Sequence, residues 1–154
     1  LNIKIGELIK EIKAITAIAV AVITNASLLN AIEVRGALLN ADLIIPSLDT
    51  VIPEVFNKIN RPHQNIKIEE IINGLVSLRK EFRGKIWLEV MLVRQVNDDL
   101  RYIKKLKEVI EGINPDKIQL NSPVRMTAEP DISAVDKNKL GKIKEILGAK
   151  CEII

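Results

Sequence analysis

D-L-I-I-P-S-L-D, residues 42–49, is the stretch whose reading decides the fold. It is a short apolar run that ends in a polar patch, Ser47 and Asp49. An apolar run of this length predicts a strand buried on both faces, as in a parallel sheet covered by helices. Polar residues at the carboxyl end of such a strand stand where α/β folds place their ligand sites. Three further strand candidates, residues 20–25, 85–94 and 117–121, also end in polar residues. The polar groups are therefore expected at one rim of an α/β barrel or open sheet.

Upstream of this strand, Ile3, Ile5, Leu8, Ile9 and Ile12 recur at near-helical spacing and predict an amphipathic helix over 3–14. The β-branched run 20–24 predicts a strand. A short helix over 28–39 follows Asn25 and Ser27, with an irregularity near Asn30 or Glu33, and Asn40 ends it. Downstream, a helix over 50–60 is expected, with Thr50 as its cap and Pro53 tolerated in its first turn. Arg61-Pro62-His63 forces an extended loop. Residues 67–82 place Ile68, Ile71, Ile72, Leu75 and Leu78 on one helical face, and Arg83-Gly84 stops that helix.

In the strand expected over 86–93, alternation sets Trp87, Glu89 and Met91 against Leu88, Val90 and Leu92. Asn97 and Asp98 are candidate caps for a helix over 99–112. Asn114-Pro115 turns the chain, and a short strand ends at Asn121. Ser133 is the candidate cap of a helix over 135–147, which Gly148 ends before a last strand over 151–154. The order αβαβααβαβαβ predicts parallel pairing with right-handed crossovers. Five strands are too few for a full eight-stranded barrel. Residues 1–154 read as a single domain without repeat, linker or low-complexity segment.

Composition narrows the function. Hydrophobic residues are 47%, charged residues 28% and aromatics only 3%, so the core must be aliphatic. The net charge of +3 is spread among acids, with no basic stripe carrying stacking aromatics, which argues against nucleic acid as a partner of this chain alone. The single Cys151 rules out an intramolecular disulfide or a cysteine-only metal cluster within one chain. Low cysteine without a secretory signal favours the cytoplasm. The most hydrophobic stretch, 15–23, is too short to span a bilayer. Richness in Ile, Lys and Glu points to a thermophile source. The chain begins at Leu1, which reads as a fragment, a processed chain, or the loss of a few leading residues.

At Thr24-Asn25, Ser47-Leu48-Asp49 and Val96-Asn97-Asp98 the chain resembles the radical S-adenosylmethionine superfamily. The pieces I-T-N-A-S-L-L, P-S-L-D, I-N-R-P-H, W-L-E-V-M-L-V and Q-L-N-S-P-V-R resemble its iron–sulfur oxidoreductase branch, related to glycyl-radical activating and wyosine-forming enzymes. The likeness covers nearly the whole chain in order. It implies a partial parallel (β/α) barrel of which this chain is the carboxy-terminal part, with the first two β/α units missing. The family's C-x-x-x-C-x-x-C loop and its glycine–glutamate stretch do not occur in these 154 residues.

The resemblance implies S-adenosylmethionine and a 4Fe-4S cluster as cofactors of the intact protein, with the cluster not bindable by this chain alone. It implies reductive cleavage giving a 5′-deoxyadenosyl radical, with this chain inactive by itself. By position, Ser47 matches a serine that contacts S-adenosylmethionine, and Thr24 and Asn25 match a T-N-G segment near cofactor or substrate. Ala26 stands where glycine is usual, and Gln95 where a glycine precedes V-N-D. Glu89 lies on a strand whose inward residues face substrate, and Gln119 and Asn121 end the strand closing the adenine side. Asp49 joins them as a candidate cofactor-binding residue. Arg61, His63 and Arg125 belong to branch signatures without an assigned role.

Each residue also has a plainer reading. Asp49 binds a ribose, orients Ser47, or caps the helix at Thr50. Asn25 reads a ligand or ends its strand in a turn. Glu89, flanked by apolar neighbours, needs a partner, with Arg94, a lysine or the cofactor as candidates. His63 reads as a surface histidine, Trp87 as core or as a shield over the site, Met91 and Met126 as packing, and Cys151 as structural. Truncation would leave the strand over 20–24 without its neighbour. Its partner is then the missing amino-terminal part of the barrel or a second copy of the chain, unless the first helix covers it. The alternative function is a non-enzymatic ligand-binding or assembly module on a half-barrel scaffold.

Overall fold

The structure is a computed structural model that describes residues 4–123 and 132–154. Its elements run α1 (Ile5–Ile15), β1 (Ala21–Thr24), α2 (Ile32–Leu38), β2 (Leu43–Pro46), α3 (Pro53–Asn60), α4 (Ile68–Glu81), β3 (Lys85–Met91), α5 (Leu100–Ile113), β4 (Lys117–Asn121), α6 (Lys137–Leu147) and β5 (Cys151–Ile153). This is the order read from the sequence. The strands form one sheet in the order β1-β2-β3-β4-β5, all neighbours parallel. A sheet in sequential order with a helix between successive strands is the architecture of a barrel wall.

Strand alternation decides which side is core. Ile44, Ile86, Leu88, Val90, Ile118 and Leu120 are buried, and they join Ile71, Leu75, Leu78, Ile103, Leu106 and Ile143 of the helices in one aliphatic cluster. The other face carries Ile23, Ile45, Ser47, Trp87, Glu89, Lys117, Gln119 and Asn121, all half-buried or exposed. The expectation that the central strand is buried on both faces is therefore corrected. β2 alternates half-buried and buried, because the helices pack on one side of an open arc. Ile23, on the outermost strand β1, is 74% exposed. Among the described residues β1 pairs only with β2, and its far edge has no partner strand. No helix among the described residues is long and apolar enough to cross a membrane.

Several helix starts differ from expectation, each for a local reason. Thr50 does not cap α3; its hydroxyl accepts the Ile52 N–H at 3.1 Å in a turn, and Pro53 opens the helix three residues after Thr50. The cap of α5 is Asp99, whose carboxylate accepts the Arg101 N–H, and not Asn97 or Asp98. The cap of α6 is Asp136, not Ser133. The segment expected to begin a helix at residue 28 is instead a turn that closes Leu29 onto Ala26 and Ala31 onto Leu28.

Candidate functional site

The carboxyl ends of β2, β3 and β4 bring three polar side chains into one row. Parallel register sets Ser47 beside Glu89, Glu89 beside Gln119, and Met91 beside Asn121. The Ser47 hydroxyl donates to Glu89 Oε2 at 3.0 Å. The Asn121 amide donates to Glu89 Oε1 at 3.0 Å. Glu89 thus finds its partners in a serine and an asparagine rather than in Arg94 or a lysine. The carboxylate, an acceptor only, sets the Asn121 amide with Nδ2 toward Glu89. Its Oδ1 is then a buried acceptor with no partner among the described residues. A buried acceptor without a donor is costly, so a donor brought by a ligand would be held there. Gln119 sits half-buried next to Glu89 on the same face.

The remaining predicted residues act on the frame of this row. Asp49 neither caps a helix nor bonds Ser47. Its Oδ1 accepts the Met91 N–H at 2.9 Å and its Oδ2 accepts the Asn60 amide at 2.9 Å. Burial pushes its carboxyl above the ordinary value, opposed by those two bonds. Asp49 therefore ties the end of α3 to the end of β3. Asn25 closes a turn, in which its Oδ1 accepts from the Ser27 N–H and hydroxyl at 3.2 and 2.8 Å. Buried Thr24 accepts the Ala26 N–H at 3.2 Å. Ala26 is held at φ 62 and Gln95 at φ 60, the left-handed region that glycine occupies without cost. Asn25, Ser47 and Asp49 line a common crevice of only about 10 Å³.

Two organisers escaped the sequence reading. Buried Asn97 accepts the Val93 N–H at 2.7 Å and donates to the carbonyls of Met91 and Asp49 at 2.8 and 2.9 Å. Arg35 holds Glu81 through two bonds of 2.9 Å and donates to the carbonyls of Leu29 and Asn30, fixing the turn that follows Asn25. Asn97 lies inside the V-N-D motif, where its neighbours suggest a cap instead of a strand-end tie. Arg35 is three residues before buried Leu38, on the inward stripe of its helix, which was the available signal.

His63 is an exposed loop residue whose Nδ1 accepts the Asn65 N–H. Trp87 is half-buried on the open face with Lys117 over its ring at 4.9 Å, so it is not core. Arg125 and Met126 lie outside the described residues. Cys151 is buried and its thiol is pushed up to about 11 by burial. No cluster of His, Cys, Asp and Glu among the described residues forms a metal centre.

No protein-family model matches the chain. Among curated proteins it is 39% identical to the GTPase Obg of Brachyspira hyodysenteriae over 96% of this chain and 22% of that one. It is 33% identical to a UPF0026 protein of Methanocaldococcus jannaschii over 89% of this chain and 42% of that one. It is 32% identical to a probable dual-specificity RNA methyltransferase RlmN of Thermotoga sp. strain RQ2, over 59% of this chain and 26% of that one. The chain thus spans less than half the length of these relatives.

Among solved structures, a domain of pyruvate-formate lyase-activating enzyme from Bacteroides vulgatus superposes with a TM-score of 0.78 at 18% identity, covering 97% of this chain and 88% of that one. SuiB of Streptococcus suis bound to S-adenosylmethionine superposes with a TM-score of 0.71 at 14% identity, over 97% of this chain and 35% of that one.

Proposed function

We propose that this chain, whose fold is that of the radical S-adenosylmethionine enzymes, is the carboxy-terminal part of such a barrel and contributes the cofactor-facing rim. The observation that carries this reading is the row Ser47–Glu89–Asn121 with its orphaned buried acceptor. S-adenosylmethionine offers donors that suit that acceptor, in its amino group, its adenine amine and its ribose hydroxyls. The fit to this cofactor is therefore good. Asn121 Oδ1 accepts from it, Glu89, itself held by Ser47, keeps the Asn121 amide in place, and Gln119 borders the same groove. Asp49 and Asn97 position the strand ends and do not touch the ligand. Thr24 and Asn25 shape the first turn of the rim. When bound, the cofactor supplies a cleavable sulfonium.

The iron–sulfur cluster does not fit these residues. It requires thiolates, and the one cysteine is buried under the helices with its thiol held protonated. No step through a cluster is assigned to this chain, which is inactive on its own under this reading. The part of the barrel that would carry the cluster also supplies a strand for the free edge of β1. The name of the GTPase relative does not extend to this chain, because none of its glycines opens a G-x-x-x-x-G-K-[ST] phosphate loop. The second reading, a ligand-binding module without redox chemistry, shares the same rim and differs only in what precedes it.

The test is a nuclear magnetic resonance titration of the chain with S-adenosylmethionine. The amides of Ser47, Glu89, Gln119 and Asn121 should shift saturably, and Asn121→Ala should weaken binding about tenfold, the loss of one good buried hydrogen bond. Absence of any shift at millimolar ligand, or shifts confined to the opposite end of the sheet, refutes the assignment.

A further inference from the structure

A second pocket opens beside the row, at the same rim. It measures about 530 Å³ and is walled by Lys58, Asn60 and Arg61 at the end of α3, by Arg94 and Gln95 after β3, and by Ile132. Among the described residues its lining carries the cations Lys58 and Arg94, beside Arg61, and no carboxylate. Among the described residues, Lys58 and Arg94 have no carboxylate partner, whereas Lys13, Arg35, Arg79, Arg101 and Lys139 are each paired with one. Two of the wall residues hold left-handed backbone, Arg61 at φ 43 and Gln95 at φ 60. Non-glycine residues persist in that region where the surroundings fix them, and such positions cluster at binding sites. The carboxyl end of α3 contributes a partial negative charge of roughly half a unit, which the cations outweigh.

The pocket adjoins the row through shared bonds. Asn60 on its wall donates to Asp49, whose other oxygen accepts the N–H of Met91, two residues beyond Glu89. We propose that this pocket holds the oxyanion, phosphate or carboxylate, of the substrate. The planar guanidinium of Arg94 meets either group with two parallel bonds, and Lys58 adds a point charge. Oxyanion binding stands on the pocket alone; its belonging to the substrate rests on the function proposed above.

The test uses inorganic phosphate and, separately, malonate as probes in low-salt titrations of the whole chain. Saturable shifts at Arg94, Gln95 and Arg61 are expected, with Arg94→Gln or Lys58→Gln weakening them about fivefold. Lys10→Gln is the control, because Lys10 lines a different basic pocket with Lys13 and Arg83 at the amino ends of the strands. It should leave the affinity unchanged. Tighter phosphate marks a phosphate-bearing substrate and tighter malonate a carboxylate. Non-saturating shifts, or equal weakening by Lys10→Gln, overturn the proposal as general charge attraction. Arg94→Gln should leave the S-adenosylmethionine titration intact. A wild-type chain that binds the cofactor but neither phosphate nor malonate sinks this inference alone. Loss of cofactor binding alone sinks the function instead.

Discussion

Gly74→Ala should destabilise the fold through the turn that follows Asn25. Gly74 is on the inward side of α4, where an added Cβ would stand 2.5 Å from the carbonyl carbon of Leu29 and 2.6 Å from the nitrogen of Asn30. It would also meet Leu29 Cβ at 2.9 Å. Two of these atoms are backbone, and their turn cannot retreat freely. Arg35 holds both of its carbonyls, at 2.8 and 2.9 Å. Overpacking of this kind costs about 3 kcal/mol, and the helical gain of alanine over glycine returns about 1 kcal/mol. The net loss is about 2 kcal/mol, which at a urea slope of about 2 kcal/mol/M lowers the midpoint by about 1 M.

Gly141→Ala supplies the opposite sign. Nothing lies within 4 Å of its added Cβ in α6. Its midpoint should rise by about 0.5 M, from about 1 kcal/mol of helix propensity. Urea unfolding followed by far-ultraviolet circular dichroism reads both. A Gly74→Ala midpoint at or above wild type would refute the packing of α4 on that turn.

Asn97→Ala removes three buried hydrogen bonds and leaves their partners unsatisfied; about 3 kcal/mol should be lost in the same urea assay. Asp99 is held down to about 2 from its ordinary 3.8 by the Arg101 side chain first and then by the Arg101 N–H. Its folded pKa is depressed, so its contribution is complete above pH 4 and lost as pH falls toward 2. The midpoint gap between wild type and Asp99→Ala should therefore shrink across that window, and a pH-independent gap would contradict the cap. The unpaired edge of β1, with Ile23 74% exposed, should make the isolated chain associate with itself in sedimentation. Ile23→Lys should shift it to monomer, and a wild-type monomer at every concentration would count against an adhesive edge.

Element order was legible because two periodicities, near 3.6 and 2, alternate cleanly along an aliphatic chain. The side of the sheet on which Glu89 falls followed from alternation alone. That Ser47 and Asn121 would both reach Glu89 did not, since they lie 42 residues before and 32 after it. Strand order implied adjacency, but only the register set the atoms in contact. Helix starts were misplaced where several capping residues compete. Val96-Asn97-Asp98-Asp99 offers three, and the tertiary bonds of Asn97 and the Lys139 contact of Asp98 leave Asp99 to cap. The bonds of Asp49 to Asn60 and Met91 were not legible, because those partners come from other elements. The burial of one strand face only was missed for the same reason. Composition reports that a strand is apolar, not whether a second layer covers it.

The most direct measurement is the sequence of the gene immediately upstream of Leu1. A radical-enzyme barrel requires an in-frame C-x-x-x-C-x-x-C loop and a glycine–glutamate stretch there, on two β/α units that complete the sheet at β1. A reading frame that starts near Leu1 without either motif would contradict the enzyme assignment and leave a half-barrel binding module in its place.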